Sequence, residues 1–347
     1  MPINEQLSQE IKEFSDEKLS LKEWELNDDD VEELLPALQS NPHIKELDLS
    51  LNYITSKGAK ILLTSLSKIE VFNLQGNDIS SEGLNELDLT NCRLRTLDIS
   101  SNSIGDTISV FSNIPTLTEL NASECEITDE GVKKLFSSFY IKKLNLTSND
   151  ISGTSFENLA TNHTLEILYL AQNSLLADNL KHLINNDTLV TLDLTNTFIC
   201  DEGANLLAQN TCLQELYLMQ CLIRDVGAKA FGESKNKNLE KLILSNNEIT
   251  HEGAMVLIKN KFILRLDLTN NPCNRFVDLS FLQKQHYTKS FDGVFVRNKE
   301  QRPTITDDDR RSSNSSNSSS ENSLGPSSGR RATSPPKSSK NTLRPGI

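Results

Sequence analysis

Eleven times along this chain the pattern L-x-x-L-x-L-x-x-N/C/T-x-I/L returns, and that spacing constrains the fold more than anything else in the sequence. The copies begin at Leu21, Ile44, Ile69, Leu94, Leu117, Ile141, Leu165, Leu189, Leu213, Leu239 and Ile263, in steps of 23 to 26 residues. A period this constant marks a repeat solenoid, in which each unit buries its apolar face against the next. A solenoid offers a binding surface, and its sequence seldom names what binds.

Each copy changes periodicity once. From Leu189, "LVTLDLTNTFI" places Leu192 and Leu194 between Thr191, Asp193 and Thr195. A period of two reads as a short strand with one buried face. "CDEGANLLAQN" follows, with Ala204, Leu207 and Ala208 at helical spacing and Asp201 and Glu202 at the start, where a helix favours negative charge. One unit is therefore strand, turn, helix, turn. The strands should lie parallel on one face, with helices on the other.

The eighth residue after each start is Asp29, Asn52, Asn77, Asn102, Cys125, Asn149, Asn173, Thr197, Cys221, Asn247 or Asn271. Where the backbone leaves the strand its polar groups need new partners, and a buried amide can serve adjacent turns at once. Removing one such amide should cost roughly 1–3 kcal/mol. These residues read as scaffold.

Fourteen residues after the start stand Gly58, Gly83, Gly131, Gly203, Gly227 and Gly253, several followed by alanine. Small residues there would let the helix sit close to the strand beneath it. With the ladder, this pattern over residues 19–275 resembles the ribonuclease-inhibitor-like class of leucine-rich repeats, in particular its short variety of about 24 residues with "GA" opening the helix. The resemblance implies an α/β leucine-rich-repeat solenoid (a horseshoe with parallel strands on the concave face and helices on the convex face). Its class includes inhibitors, immune receptors, GTPase activators and ubiquitin-ligase adaptors, and its short variety is common in bacterial effectors. The copies from Leu94 and Leu165 depart, with Ile108 and Asn179 at the helix-opening place. "LNELDLTNCRL" from Leu84 also fits the ladder but overlaps the copy at Leu94, so a short or irregular helix is expected around residues 80–92.

The ends differ from the middle. Leu7, Ile11 and Phe14 fall on one helical face, so residues 1–18 are expected to cap the first repeat. Phe276, Leu279, Phe281, Leu282, Phe291 and Phe295 assign residues 276–302 to a C-terminal cap. Residues 303–347 are Ser-rich and too polar to build a core, which reads as a disordered tail. Arg310-Arg311 and Arg330-Arg331 precede Ser313 and Thr333 by two residues, the spacing of a basophilic-kinase site.

Residues 1–302 carry a net charge of −16 and residues 303–347 one of +3. An acidic body disfavours nucleic acid and anionic membrane and welcomes a basic partner. Six cysteines without a C-x-x-C pair fit reduced structural thiols. "MPINEQLSQEIKEF" has neither the basic start nor the apolar core of a secretory leader. A cytoplasmic protein is expected, or one exported without a classical leader into a host cell. An effector of an intracellular bacterium and a cytosolic protein of a single-celled eukaryote both fit.

No hydrolase, zinc-protease, P-loop or dinucleotide fingerprint occurs, and His43, His163, His182, His251 and His286 are scattered. Asp48, Asp98, Asp193 and Asp267 recur at one strand position and read as a solvated face. An activator of a small GTPase would need an arginine in the early strand-end loops, and "SLN" and "QGN" hold none. A ubiquitin-ligase adaptor would need a helical module ahead of the repeats, for which 20 residues are too few. The expectation is a monomeric, non-catalytic protein-binding scaffold with no cofactor and no metal.

Side chains two, four and six places after each start should line the concave face. They are mostly polar or acidic in the early copies (Glu23, Glu25, Glu46, Asp48, Thr96, Asp98, Glu119, Asn121) and become Ile167, Tyr169 and Ala171 from Leu165. Tyr217, Met219 and Ile243 follow, with Asp193 between and Lys241 and Arg265 beside them. Exposed tyrosine and methionine are enriched at interface centres, so Ile167, Tyr169, Asp193, Tyr217, Met219 and Ile243 are the candidate partner-binding residues.

Overall fold

The computed structural model describes residues 5–85, 87–275, 285–289 and 294–297. The chain divides into two units after Arg302, and the repeats all lie in the first, Met1–Arg302. Ser313, Thr333, Phe276, Leu279, Phe281, Leu282 and Phe291 lie outside the described residues.

Eleven three-residue strands share one parallel sheet in chain order: β1 (Lys18–Ser20), β2 (Glu46–Asp48), β3 (Val71–Asn73), β4 (Thr96–Asp98), β5 (Glu119–Asn121), β6 (Lys143–Asn145), β7 (Ile167–Tyr169), β8 (Thr191–Asp193), β9 (Glu215–Tyr217), β10 (Lys241–Ile243) and β11 (Arg265–Asp267). Register never slips between them, so Leu144, Leu168, Leu192, Leu216 and Leu242 form one buried row. Burying one leucine contributes about 1.5–3 kcal/mol, and the row repeats at every ladder position.

The first copy begins five residues earlier than the ladder suggests. Leu19 pairs with Leu47, and the Leu21 amide donates to the Asp48 carbonyl. Leu21 thus stands where later copies have their second strand leucine, and the copy starts at Asp16. Lys18 and Ser20 hold the strand-face places expected for Glu23 and Glu25. Asp29 lies exposed in a helix, and its expected scaffold place belongs to Trp24. The cause is local: "LKEWEL" imitates the ladder, but only the earlier frame pairs with β2.

The buried eighth residues act as expected. The Asn52 amide donates to the Leu21 and Leu49 carbonyls (3.0 and 2.9 Å), and its Oδ1 accepts from the Trp24 and Leu26 amides. Asn149 and Asn247 repeat the pattern. Cys125 and Cys221 donate through sulfur to the Ile99 and Leu194 carbonyls. Burial pushes the Cys125 thiol up to about 12.

On the other side stand α2 (Asp28–Ser40), α3 (Ser56–Ser65), α4 (Asp129–Phe136), α5 (Cys200–Leu207), α6 (Asp225–Gly232) and α7 (His251–Leu257), preceded by α1 (Glu5–Glu13). The opening glycines have a different reason from the one expected. The Asp28 carboxylate, at the N-terminus of α2, accepts from the amides of Thr55 and Gly58 at the start of α3 (2.9 and 3.1 Å). Asp201 does the same for Arg224 and Gly227, and Asp225 for Thr250 and Gly253. A Cβ on Gly58, Gly227 or Gly253 would lie 2.4–2.8 Å from that carboxylate oxygen. Each helix start is therefore capped by the helix before it, and glycine admits the cap. Ile108, Ser155 and Asn179 stand at the same place in three copies that build 3-10 turns instead, at Gly105–Asn113, Thr154–Glu157 and Ala177–Leu183.

No helix is found among the described residues of 80–92. Leu87 and Leu89 are buried, and Asp88 accepts from the Thr90 amide and hydroxyl (3.1 and 2.6 Å). The decoy thus forms the ladder's strand-end turn without entering the sheet.

At the N-terminal end Ile11 is buried, with Leu7 and Phe14 packed against the core. At the other end β12 (Tyr287–Lys289) and β13 (Val294–Arg297) add antiparallel strands beside β11, with Phe295 opposite Leu266. Buried Arg297 donates to the Asn260 and Ile258 carbonyls at the end of α7 (3.0 and 3.1 Å) and stacks on Tyr287, 4.2 Å from its ring centre.

Candidate binding face

A three-residue strand with its middle side chain buried leaves its first and third side chains on the open face. The buried–exposed alternation holds in nearly every strand. Two rows result. The first reads Glu119, Lys143, Ile167, Thr191, Glu215, Lys241, Arg265, and the second Asn121, Asn145, Tyr169, Asp193, Tyr217, Ile243, Asp267. The sheet thus brings Ile167, Tyr169, Asp193, Tyr217 and Ile243 onto four consecutive strands, β7 to β10. Met219 is half-buried just past β9.

The third strand residue has a structural task in most copies. Asp48, Asn73, Asp98, Asn121, Asn145, Asp193 and Asp267 each accept, at 2.9–3.3 Å, from the backbone amide two residues ahead. This Asx turn closes the strand end. Asp193 therefore belongs to the scaffold pattern as well as to the candidate patch, and the recurring aspartates are strand caps rather than a merely solvated row. Tyr169, Tyr217 and Ile243 occupy the same place without being able to make that turn.

The three exceptions differ among themselves. Tyr169 is half-buried, and its side chain makes no hydrogen bond among the described residues. Tyr217 is held: its hydroxyl donates to Glu215 Oε2 (2.7 Å) and accepts from Lys241, whose Nζ sits 4.6 Å from the ring centre. Lys241 also reaches Glu215 at 3.1 Å. Burial alone would raise the Glu215 carboxyl, but hydrogen bonds from Tyr217 and Lys241 outweigh it and hold it below its ordinary value. Burial, and then the bond to Glu215, raises the Tyr217 hydroxyl.

Ile243 does not belong on the open face as expected. It is only 8 % exposed, and Ala171 is equally covered. β10 alone among these strands follows its buried middle residue with a second buried one. The sixth place, expected to point outward, is buried at Ser50, Ser100 and Ser245 too. Of the expected patch, Ile167, Tyr169, Tyr217 and Met219 remain partly open. Sequence reasoning missed Phe198 and Leu222, nine places into consecutive copies, exposed with left-handed backbone (φ 54° and 58°). Their signal was the non-asparagine eighth residue, Thr197 or Cys221.

Among the described residues no group of three or more His, Cys, Asp or Glu could hold a metal ion, and no helix there is long and apolar enough to cross a membrane. His163 pairs with Asp187 at 3.0 Å on the exposed surface.

A family model described as "Leucine Rich repeat" matches residues 40–63, 65–87, 90–108, 113–136, 137–160, 209–232 and 235–257. No curated protein matches the chain. Among solved structures, an internalin (inlF) from Listeria monocytogenes strain 4b F2365 is 19 % identical, with TM-score 0.43, covering 73 % of this chain and 87 % of that one. The plant peptide hormone receptor RGFR1, in complex with RGF2, is 17 % identical with TM-score 0.44; the match covers 76 % of this chain and 45 % of the receptor. The matched repeats, joined by the unbroken register of the sheet between and beyond them, make this chain a leucine-rich-repeat protein.

Proposed function

We propose that the chain is a non-catalytic scaffold that binds a protein partner on the strand face of β7 to β10, with Tyr169 at the centre. The observation that carries this reading is the abandoned strand cap. The fold uses Asp or Asn at that place from β2 to β6, and Tyr169 trades the cap for a half-exposed aromatic ring without a polar partner among the described residues. Ile167 on the same strand and Met219 nearby extend the apolar surface. Such a residue has a solvation cost that the scaffold does not require, and interface centres concentrate aromatic anchors of this kind.

The reading includes the ribonuclease-inhibitor-like subtype, supported by the helix openings Gly58-Ala59, Gly203-Ala204, Gly227-Ala228 and Gly253-Ala254. It also includes a cytoplasmic setting, in the producing cell or in a host, which fits the cysteine spacing. Affinity capture from candidate lysates, with wild type and Tyr169→Ala side by side, tests the face. The partner should be lost from the variant, by at least about 2 kcal/mol in affinity. Undiminished capture by Tyr169→Ala moves the binding surface elsewhere.

A further inference from the structure

We propose a second docking surface at the N-terminal edge of the solenoid, around Trp24, Leu51 and Tyr53, that takes a basic segment of a partner protein bearing apolar side chains. It is independent of the Tyr169 reading.

The starting point is Trp24, the protein's single tryptophan. Register puts it at the eighth place of the first copy, where the ten later copies bury Asn, Cys or Thr. Trp24 is instead 48 % exposed. Its amide donates to Asn52 Oδ1 (3.1 Å), which sets it against the turn that carries Leu51 and Tyr53. Those two are 44 % and 58 % exposed. Three large apolar side chains therefore crowd one edge of two adjacent copies. The scaffold has no use for them there, since Ser101 and Ser103, or Ser148 and Asp150, fill the places of Leu51 and Tyr53 in later copies.

The backbone is committed to the display. Glu23, Glu25 and Leu51 all hold left-handed conformations, at φ 61°, 59° and 56°. Residues with a Cβ seldom adopt that region, so this presentation is fixed by the surrounding turns rather than by local preference.

Charge identifies the occupant. Glu23 and Glu25 flank Trp24 in sequence and are exposed, and Asp28, Asp29 and Asp30 open the helix that follows. Lys22 pairs with Glu23, Lys57 with Glu32, Lys18 with Glu46 and Lys45 with Glu17, so the neighbouring cations are already matched. Residues 1–82 contain 7 Lys, no Arg and 17 Asp or Glu, a net charge of −10, against −6 for the 220 residues from 83 to 302. Most of the body's negative charge is thus gathered beside its exposed tryptophan. An apolar anchor inside a carboxylate rim fits lysine or arginine alternating with aliphatic side chains, and it repels phosphate backbones and anionic lipid.

Trp24 reports on its own site. Full-length protein is titrated with a short peptide of alternating lysine and leucine while tryptophan emission is followed. Emission should shift to the blue and saturate, and binding should weaken at least about tenfold between about 0.05 and 0.5 M salt. A glutamate–leucine peptide should give no shift, and a lysine–serine peptide should bind at least tenfold more weakly. Leu51→Ser/Tyr53→Ser should lower affinity for the lysine–leucine peptide tenfold or more with the melting temperature retained, and Tyr169→Ala should leave it unchanged. Unshifted emission overturns the proposal, as does equal binding of the lysine–serine peptide or of the Leu51→Ser/Tyr53→Ser variant. Emission that depends on protein concentration alone overturns it in favour of a second copy of this chain. Loss of the shift in Tyr169→Ala would merge the two surfaces and overturn their independence.

Discussion

The strands β2 to β6 and the strands β7 to β10 build the same sheet but use their third residue differently. In the first group Asp48, Asn73, Asp98, Asn121 and Asn145 fold back onto their own strand ends. In the second only Asp193 does so, and Tyr169, Tyr217 and Ile243 take the other places. Pairing runs through both groups without a slip. The cap therefore trims each strand end but does not set the register, which the buried leucines hold. A position that the fold favours without requiring is one where a surface can be changed cheaply.

The largest effects should fall on the row that both groups share. Leu144→Ala in β6 and Leu192→Ala in β8 each remove a fully buried side chain and should destabilise by roughly 2–5 kcal/mol, within about 1 kcal/mol of each other. Thr191→Ala, on the open face beside Leu192, should stay within about 0.5 kcal/mol. Urea melts in which Leu192→Ala is as mild as Thr191→Ala would break the register and with it the comparison.

Next comes the cap. Asp98→Ala deletes an acceptor for the Ser100 amide and hydroxyl (3.0 and 2.6 Å) and should cost about 0.5–1.5 kcal/mol. Tyr169→Asp restores the early pattern in β7 and should be neutral or stabilising by up to about 1 kcal/mol, while abolishing partner capture. If Tyr169→Asp instead destabilises as much as Asp98→Ala, the tyrosine is part of the scaffold and the distinction between the two groups collapses.

Much of this is legible in the sequence, and the failures have physical causes. Ladder spacing gives every strand from β2 to β11, because a buried leucine at fixed intervals has one way to pack. It misplaces the first copy, since Leu21 and Leu26 fit the pattern in a frame that only the hydrogen bonds to β2 reject. The opening glycines are visible, but the carboxylate cap from the preceding helix joins residues 25–30 apart and has no local signature. Alternation makes Ile243 look exposed because it is a rule about backbone direction. Whether a face position is covered depends on its neighbours across the sheet. For the same reason Tyr217 looks as free as Tyr169, although Lys241, 24 residues away, covers its ring.

That last pair gives the smallest effect and the sharpest test. Tyr217, Glu215 and Lys241 are linked by hydrogen bonds and a cation–ring contact, and all three remain partly open to water. Their coupling should therefore be modest, about 0.5–1 kcal/mol in a Tyr217→Phe/Lys241→Met double-mutant cycle. Tyr169 has no such partner among the described residues, so Tyr169→Ala should leave the melting temperature almost unchanged while Tyr217→Ala lowers it slightly. The pH dependence comes from the shifts. Glu215 is held below its ordinary 4.5, so its contribution is present above that pH and fades as the pH falls through the lowered value. Tyr217 and Lys241 are raised from 10.0 and 10.5, so theirs is complete below pH 10 and fades as the pH climbs through the raised values. The cycle should accordingly read its full coupling on a plateau between about pH 5 and pH 10 and lose it on both sides. Equal and pH-independent responses of Tyr169→Ala and Tyr217→Ala would mean that the two tyrosines are equivalent, and then Tyr169 has no special claim to the partner.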